Sequence, residues 1–240
     1  MKLVICGGTG YVATELIRQG LALPQISNLV VLSRRPITVP DSPNAAKLKQ
    51  VLIEKYDEYP EDVKKELSGA NGCIWTVAIT PSKASRYDFE VVRNICHTST
   101  MAFLNAFMDT KPASKFRFLY MSGLGVERDQ TKRPRIYADY MLMRGQTESE
   151  VEAFAREHSD IMEAQIVNPP LITSTATLSR AAFYALLKGL SFIFWGLQWV
   201  TVQEISAGML SQVVNGFEKE VLGPDDLRRI GQDALSKGEE

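Results

Sequence analysis

A hydroxyl, a phenol and a guanidinium fall at spacings that let them meet. Ser122 follows the apolar run Leu119-Tyr120-Met121, Tyr140 comes eighteen residues later, and Arg144 lies four beyond that. A serine at the carboxyl end of a central strand stands where open α/β sheets bind their ligands. Residues four apart on a helix share a face, so Tyr140 and Arg144 can address the same crevice. The plainer account of that pair is an amphipathic helix bearing a surface charge. The alternative register, Tyr137 with Met141, carries no charge. It leaves Tyr137 as a pocket-lining residue.

A second group of residues is suited to phosphate. Residues 7–13 read GGTGYVA, directly after the apolar run Leu3-Val4-Ile5-Cys6. A chain that turns sharply from strand to helix can point backbone N–H groups and a helix N-terminus at a pyrophosphate. Side chains at such a turn would hold the phosphates away. Gly7, Gly8 and Gly10 have none, and small Ala13 lets the helix approach the strand. Thr9, Tyr11 and Val12 complete the expected cofactor-binding turn.

The end of the second apolar run bears on which dinucleotide is held. A carboxylate there commonly holds the ribose hydroxyls of NAD. This chain reads Leu32-Ser33-Arg34-Arg35-Pro36 instead. A hydroxyl and two guanidinium groups suit the 2′-phosphate of NADP, and a carboxylate would repel it.

These residues need elements to position them. Short apolar runs at Lys2–Cys6, Leu29–Ser33, Gln50–Ile53, Gly72–Val77, Phe116–Met121 and Glu163–Val167 are expected as strands. Most are continuously apolar, which fits a parallel sheet covered on both faces. Helical periodicity lies between them, over Tyr11–Leu21, Arg86–Met108, Tyr140–Glu157 and Gln203–Phe217. This alternation predicts an α/β fold with a doubly wound parallel sheet of Rossmann type, as one domain over residues 1–240. Pro36–Pro43 and Gly125–Arg135 are expected as loops, and the last five residues as a frayed end.

Composition narrows the classes. The chain has 240 residues, 45% of them hydrophobic, so it can bury a large core without disulfides or metals. A formal net charge of -1 provides no general field to attract nucleic acid. Cys6, Cys73 and Cys96 lie widely spaced in apolar runs, as expected of free thiols in a reducing, cytoplasmic setting. With two histidines and no ligand spacing, no metal site is expected. His97 is expected to be structural. The chain starts directly in a strand pattern, with no secretory leader expected.

The run Ala181–Val200 approaches membrane-span length, but Lys188, Gln198 and two glycines interrupt it. A buried helix followed by an apolar flap is expected there, within a substrate-side lobe over residues 170–205. Phe183, Phe192, Phe194, Trp195 and Trp199 would form that lid, or simply a piece of hydrophobic core. No membrane span is expected there; peripheral association with a membrane surface is the alternative use of such a lobe.

Taken in order, GGTGYVA, LSRRP, FLYMSGLG, YMLMRGQTESEVE, IVNPPLIT and VTVQEISAGMLSQVV resemble the short-chain dehydrogenase/reductase superfamily. The similarity is greatest to its atypical branch, the NmrA-like and Tat-interacting-protein-like NADP-binding proteins. The resemblance implies that Ser122 and Tyr140 hold a substrate carbonyl, with Tyr140 exchanging the proton. It also implies a lysine four residues after the tyrosine, which binds the nicotinamide ribose and lowers the phenol's pKa. Here that position is Arg144, whose charge is spread over a plane. By the same resemblance Asn168, Pro169 and Leu171 run beside the nicotinamide, and Thr76 and Thr80, at the end of the fourth strand, either contact ribose and phosphates or are ordinary strand-end threonines. Asp57 would cap adenine or serve only as a turn carboxylate.

The expected function is an NADP-dependent oxidoreductase acting on the carbonyl or alcohol of a hydrophobic small molecule. The rival expectations keep the fold. One is a non-redox isomerase, dehydratase or cyclisation catalyst, and the other is a non-enzymatic NADP(H) sensor.

Overall fold

A computed structural model of the chain describes residues 1–110, 112, 115–173 and 198–237. Its centre is a seven-stranded parallel sheet in the order β3-β2-β1-β4-β5-β6-β9. The strands are β1 Lys2–Cys6, β2 Asn28–Ser33, β3 Leu48–Leu52, β4 Gly72–Trp75, β5 Phe116–Met121, β6 Met162–Val167 and β9 Val221–Leu222. A separate parallel pair joins β7 Leu171–Thr173 to β8 Trp199–Thr201. Strand order reverses at β1, so the switch point lies between the carboxyl ends of β1 and β4.

The strands carry apolar residues on both faces because helices cover both. Successive side chains alternate between faces. Val4, Cys6, Val30, Leu32, Cys73, Trp75, Phe116, Phe118 and Tyr120 enter one core. Leu3, Ile5, Leu29, Val31, Ile74 and Leu119 enter the other. Helices α2 Glu61–Leu67, α5 Ser99–Met108 and α6 Ala138–Glu157 pack on the first side. There Phe103 stacks on Phe107 and Phe118, Phe107 stacks on Phe116 with centroids 4.0 Å apart, and Trp75 lies tilted against Phe103. Helices α1 Tyr11–Ala22, α7 Val202–Asn215 and α8 Pro224–Lys237 pack on the second side. The start of α7 is set by a capping box between Thr201 and Glu204.

The long helix expected over Arg86–Met108 is divided. After the short α3 Pro81–Ala84, α4 Phe89–Arg93 begins and passes through a π-helical turn, Asn94–Thr98, into α5. Asp88 caps the start in extended backbone, leaving Arg86 and Tyr87 outside the helix. The fourth strand ends at Trp75 rather than Val77, with the Thr76 N–H making the last ladder bond, to the Cys6 carbonyl. Elements α2, β7, β8, β9 and α8 were not expected from the sequence pattern. The expected lobe over 170–205 falls largely outside the described residues, including Phe183, Phe192, Phe194 and Trp195. Among the described residues, no helix is long and apolar enough to cross a membrane.

Two glycines in helices should respond oppositely to alanine. A Cβ on Gly20 of α1 would meet Ile26, Leu29 and Leu210 at 3.7 Å, an ordinary contact. Gly20→Ala should therefore stabilise by about 0.5–1 kcal/mol through helix propensity. A Cβ on Gly231 would lie 2.2 Å from the Glu204 carbonyl oxygen, where α8 crosses α7. Gly231→Ala should cost about 1–3 kcal/mol by overpacking. Urea unfolding of both variants checks the pair of signs.

Candidate functional site

The turn after β1 is built by three glycines under different constraints. Gly7 adopts φ +93°, a conformation that side chains disfavour, and a Cβ there would lie 2.7 Å from the Thr76 hydroxyl. A Cβ on Gly8 would lie 2.4 Å from a methyl of Val31. Both are required by the chain's own packing, whatever else the turn holds. Gly10 is different: it is exposed, in extended backbone, and its nearest obstacle is the Gly7 carbonyl at 3.1 Å. It caps α1 with no side-chain acceptor and no acidic residue in the first turn. Thr9 and Tyr11 are exposed beside it, and Val12 is buried under the helix.

Thr76 and Ser33 have inward tasks. The Thr76 hydroxyl donates to the Cys6 carbonyl at 2.6 Å, pinning β4 to β1 at the switch point. Ser33 is fully buried, its hydroxyl donating to the Arg35 carbonyl at 2.8 Å and accepting from Gln50 at 2.8 Å. Its one hydroxyl proton is thus committed within the chain and shapes the loop that presents Arg34 and Arg35. Both arginines are exposed.

Arg34 stands over the Tyr56 ring, 5.8 Å from its centroid. It lines a cavity of about 350 Å³ with Tyr56, Asp57, Asn94 and Ile95. Asp57 accepts from the Asn94 amide at 3.0 Å through one oxygen, and its other oxygen is buried without a partner. Glu54 and Glu90 share the wall, so the cavity carries both signs of charge.

The second part of the site lies at the ends of β5 and β6. Left-handed Tyr137, at φ 53°, starts α6 and stays exposed. Tyr140 and Arg144 then face inward one turn apart. Tyr140 is 9% exposed, and its hydroxyl donates to the Ile79 carbonyl at 2.9 Å. Burial pushes its pKa up to about 12, with Arg144 pulling the other way. Arg144 is only 2% exposed. One end of its fork donates to the carbonyl of Met121, the residue before Ser122, at 2.8 Å, and its plane lies over Tyr120 at 4.8 Å. The other terminal nitrogen, Nη1, is buried without a partner, as are Ser122 Oγ and Asn168 Oδ1. Burial opposes the Arg144 charge, but Tyr120, Tyr140, Cys96 and Glu148 together hold its pKa above the ordinary value.

Residues from neighbouring elements complete this region, among them Cys96, which the sequence pattern does not mark as a site residue. The π turn brings Cys96 against Ile79, whose N–H donates to the thiol sulfur at 3.2 Å. Burial raises the Cys96 pKa, against the pull of Arg144. His97, on the same turn, pairs with Glu150 of α6 at 2.8 Å, a structural tie as expected. Thr80 hydrogen-bonds Ser82 at 3.3 Å on the exposed α3. Leu171 begins β7 and is exposed, and the Pro169 carbonyl accepts from Leu124 at 3.3 Å. The only signal for Cys96 in the sequence was an apolar neighbourhood, which equally describes Cys6 and Cys73; all three are buried free thiols.

The loop between β5 and α6 is strapped to the helix that carries Tyr140 and Arg144. A Cβ on Gly145 would lie 1.9 Å from the Glu127 carbonyl oxygen, so loop and helix backbones touch. Arg128 then bonds Glu148 at 2.7 Å and both oxygens of Glu152 at 2.8 and 2.9 Å.

No family model matches the sequence. A curated relative, Leucinostatins biosynthesis cluster protein T of Purpureocillium lilacinum, is 27% identical over 122 residues. The match covers 50% of this chain and 42% of that protein. Among solved structures, MoeE5 in complex with UDP-glucuronic acid and NAD superposes with TM-score 0.66 at 12% identity, covering 92% of this chain and 74% of that one. DesIV (dTDP-glucose 4,6-dehydratase) from Streptomyces venezuelae, with NAD and TYD bound, gives 0.66 at 16%, covering 98% and 81%. The PhqB reductase domain from Penicillium fellutanum gives 0.65 at 12%, covering 93% and 66%. The chain shares the Rossmann-type α/β fold of these structures.

The buried phenols set an alkaline limit to stability. A group whose pKa is higher folded than unfolded retains its proton in the native state, so stability is present at lower pH and lost as pH rises. For Tyr140 the loss should begin near an unfolded value of about 10 and run to its folded value of about 12. Over that window one such tyrosine contributes a slope of up to about 1.4 kcal/mol per pH unit. Tyr140→Phe should flatten the fall of unfolding free energy above pH ~10 by up to that amount. Denaturant titrations at stepped alkaline pH read the slope.

Proposed function

We propose that the chain is an NADP-dependent oxidoreductase acting on the carbonyl or alcohol of an apolar small molecule. The observation that most supports this is the buried, half-satisfied guanidinium of Arg144, beside Tyr140 and next to the residue that precedes Ser122. A buried cation without a carboxylate partner is costly to keep. Its retention favours a role toward a ligand over a role in packing.

The chain's residues fit a dinucleotide at both ends. The uncapped start of α1 at Gly10, with Thr9, Tyr11 and Val12 after the Gly7–Gly8 bend, suits a pyrophosphate. Arg34 and Arg35 suit a 2′-phosphate, with Ser33 holding their loop in shape, and the cavity beneath Arg34 suits the adenine, with Asp57 at its wall. Thr76 supports that bend from below. Arg144 and the Asn168–Leu171 segment would stand near the nicotinamide end. When bound, the nicotinamide supplies hydride chemistry. That solved structures of the same fold hold NAD supports a nicotinamide cofactor; the arginines support the phosphorylated form.

Tyr140, kept protonated by burial, is suited to give its hydroxyl proton to a carbonyl oxygen. Ser122 Oγ, lacking a protein partner, is suited to orient that oxygen. Arg144 would stabilise the developing phenolate by its fixed charge. Exposed Leu124, Ile136, Tyr137 and Leu171 follow or precede these groups in the chain and favour an apolar substrate. Residues 1–240 are proposed as one cofactor-binding domain with 170–205 as its substrate lobe.

A non-redox reading is favoured by a different observation. Tyr140 donates to Ile79 and has a raised pKa, so it is a poor base near neutrality and a better hydrogen-bond donor. An isomerase, dehydratase or cyclisation catalyst needs only that donor and a charge. NADPH consumption over a panel of apolar carbonyl compounds separates the two: turnover without consumption would sink the redox proposal.

Arg34→Ala with Arg35→Ala should weaken NADPH binding by about 1.5–3 kcal/mol, ten-fold to more than a hundred-fold, while NADH binding changes far less. Calorimetric titration with each nucleotide checks it. Equal losses would remove the assignment to the 2′-phosphate. Arg144→Met should lower both nucleotide affinity and turnover, and Tyr140→Phe should lower turnover with nucleotide affinity largely kept.

A further inference from the structure

Arg144 and Glu148 are opposite charges four residues apart on α6, at a spacing that brings such side chains together. Both are buried, Glu148 to 1% exposure. Attraction between them is strong where water is excluded. Yet they form no ion pair. Arg144 donates to the Met121 carbonyl, and Glu148 accepts from Arg128 at 2.7 Å. Each keeps one buried atom without a partner, Nη1 on Arg144 and Oε1 on Glu148. A direct pair between them is therefore the nearest competing arrangement.

Arg128 stands in its way. Its fork is anchored on both oxygens of Glu152, and its Nε holds Glu148. The loop that carries it is fixed in turn. The Glu127 N–H donates to the Met141 carbonyl at 3.3 Å, and the Glu127 carbonyl abuts Gly145.

We propose that Arg128 is a positioning residue: by holding Glu148 it prevents an Arg144–Glu148 ion pair and keeps the Arg144 guanidinium on the Met121 carbonyl, beside Ser122. The inference rests on the reading above only in naming the ligand that Arg144 meets. The pairing itself is a property of the free chain.

The test combines a structure and an affinity. In the crystal structure of Arg128→Ala, Arg144 is expected to leave Met121 and pair with Glu148. NADPH affinity should fall about tenfold, the size of one charge-assisted contact. Adding Glu148→Gln to Arg128→Ala removes the competing charge and should restore the affinity. A merely structural role for Arg128 would make the double variant worse, not better. If Arg128→Ala does not fold, Arg128→Lys replaces it, because one ammonium cannot serve Glu152 and Glu148 in the same way. An Arg144 that stays on Met121 in the single variant, or a double variant as weak as the single, overturns the proposal. Should the unmodified chain bind no NADPH, the cofactor reading falls and the crystal structure alone decides the pairing.

Discussion

The region at the ends of β5 and β6 depends on one cation kept in an unusual state. Arg144 is buried, bonded on one side to a backbone carbonyl and stacked on Tyr120, with no carboxylate on its fork. Neutral partners soften the loss of water without cancelling the charge. The surrounding groups take their character from that choice. Tyr140 and Cys96 both have pKa values raised by burial and pulled back by the same guanidinium. Were Arg144 neutralised by a carboxylate, that pull on both groups would weaken.

The backbone arrangement keeps this state within reach of the switch point. Thr76 joins the end of β4 to the end of β1 through the Cys6 carbonyl, and Gly7 fits beside it only because it has no side chain. Tyr140 reaches Ile79, four residues after β4 ends. The glycine bend and the phenol are thus referenced to the same segment of chain, from opposite ends.

Much of this was legible in the residues. Apolar runs located the six long strands to within a few residues, most sharply for β4, which is buried at every position, and least for the edge strand β3, where exposed Lys49 and half-buried Gln50 interrupt the run. The glycine turn, Ser122, Tyr140 and Arg144 were singled out as candidates from type and spacing, which are local properties. What escaped was long-range. The short β9 is a strand only because β6 lies beside it. The amphipathic α8 packs at Gly231 against α7, a contact no periodicity announces. Ser33 looked available to a ligand, but its hydroxyl is consumed by Arg35 and Gln50, partners that a linear pattern does not pair. Glu148 and Arg128 stand 20 residues apart and read as ordinary surface charges until the loop folds back.

The π turn at Asn94–Thr98 has a consequence for phase. Each residue of an α-helix advances about 100° around its axis, and a π turn takes in one extra residue without a matching advance. Upstream of the turn's centre Asn94 meets Asp57 under the Arg34 cavity; two residues later Cys96 meets Ile79 beside Tyr140. The same five residues therefore act as a crankshaft, setting the angle between two throws, one toward Asp57 and one toward Ile79. Removing one residue there would rotate one throw against the other while leaving Asp57, Tyr140 and Arg144 chemically unchanged.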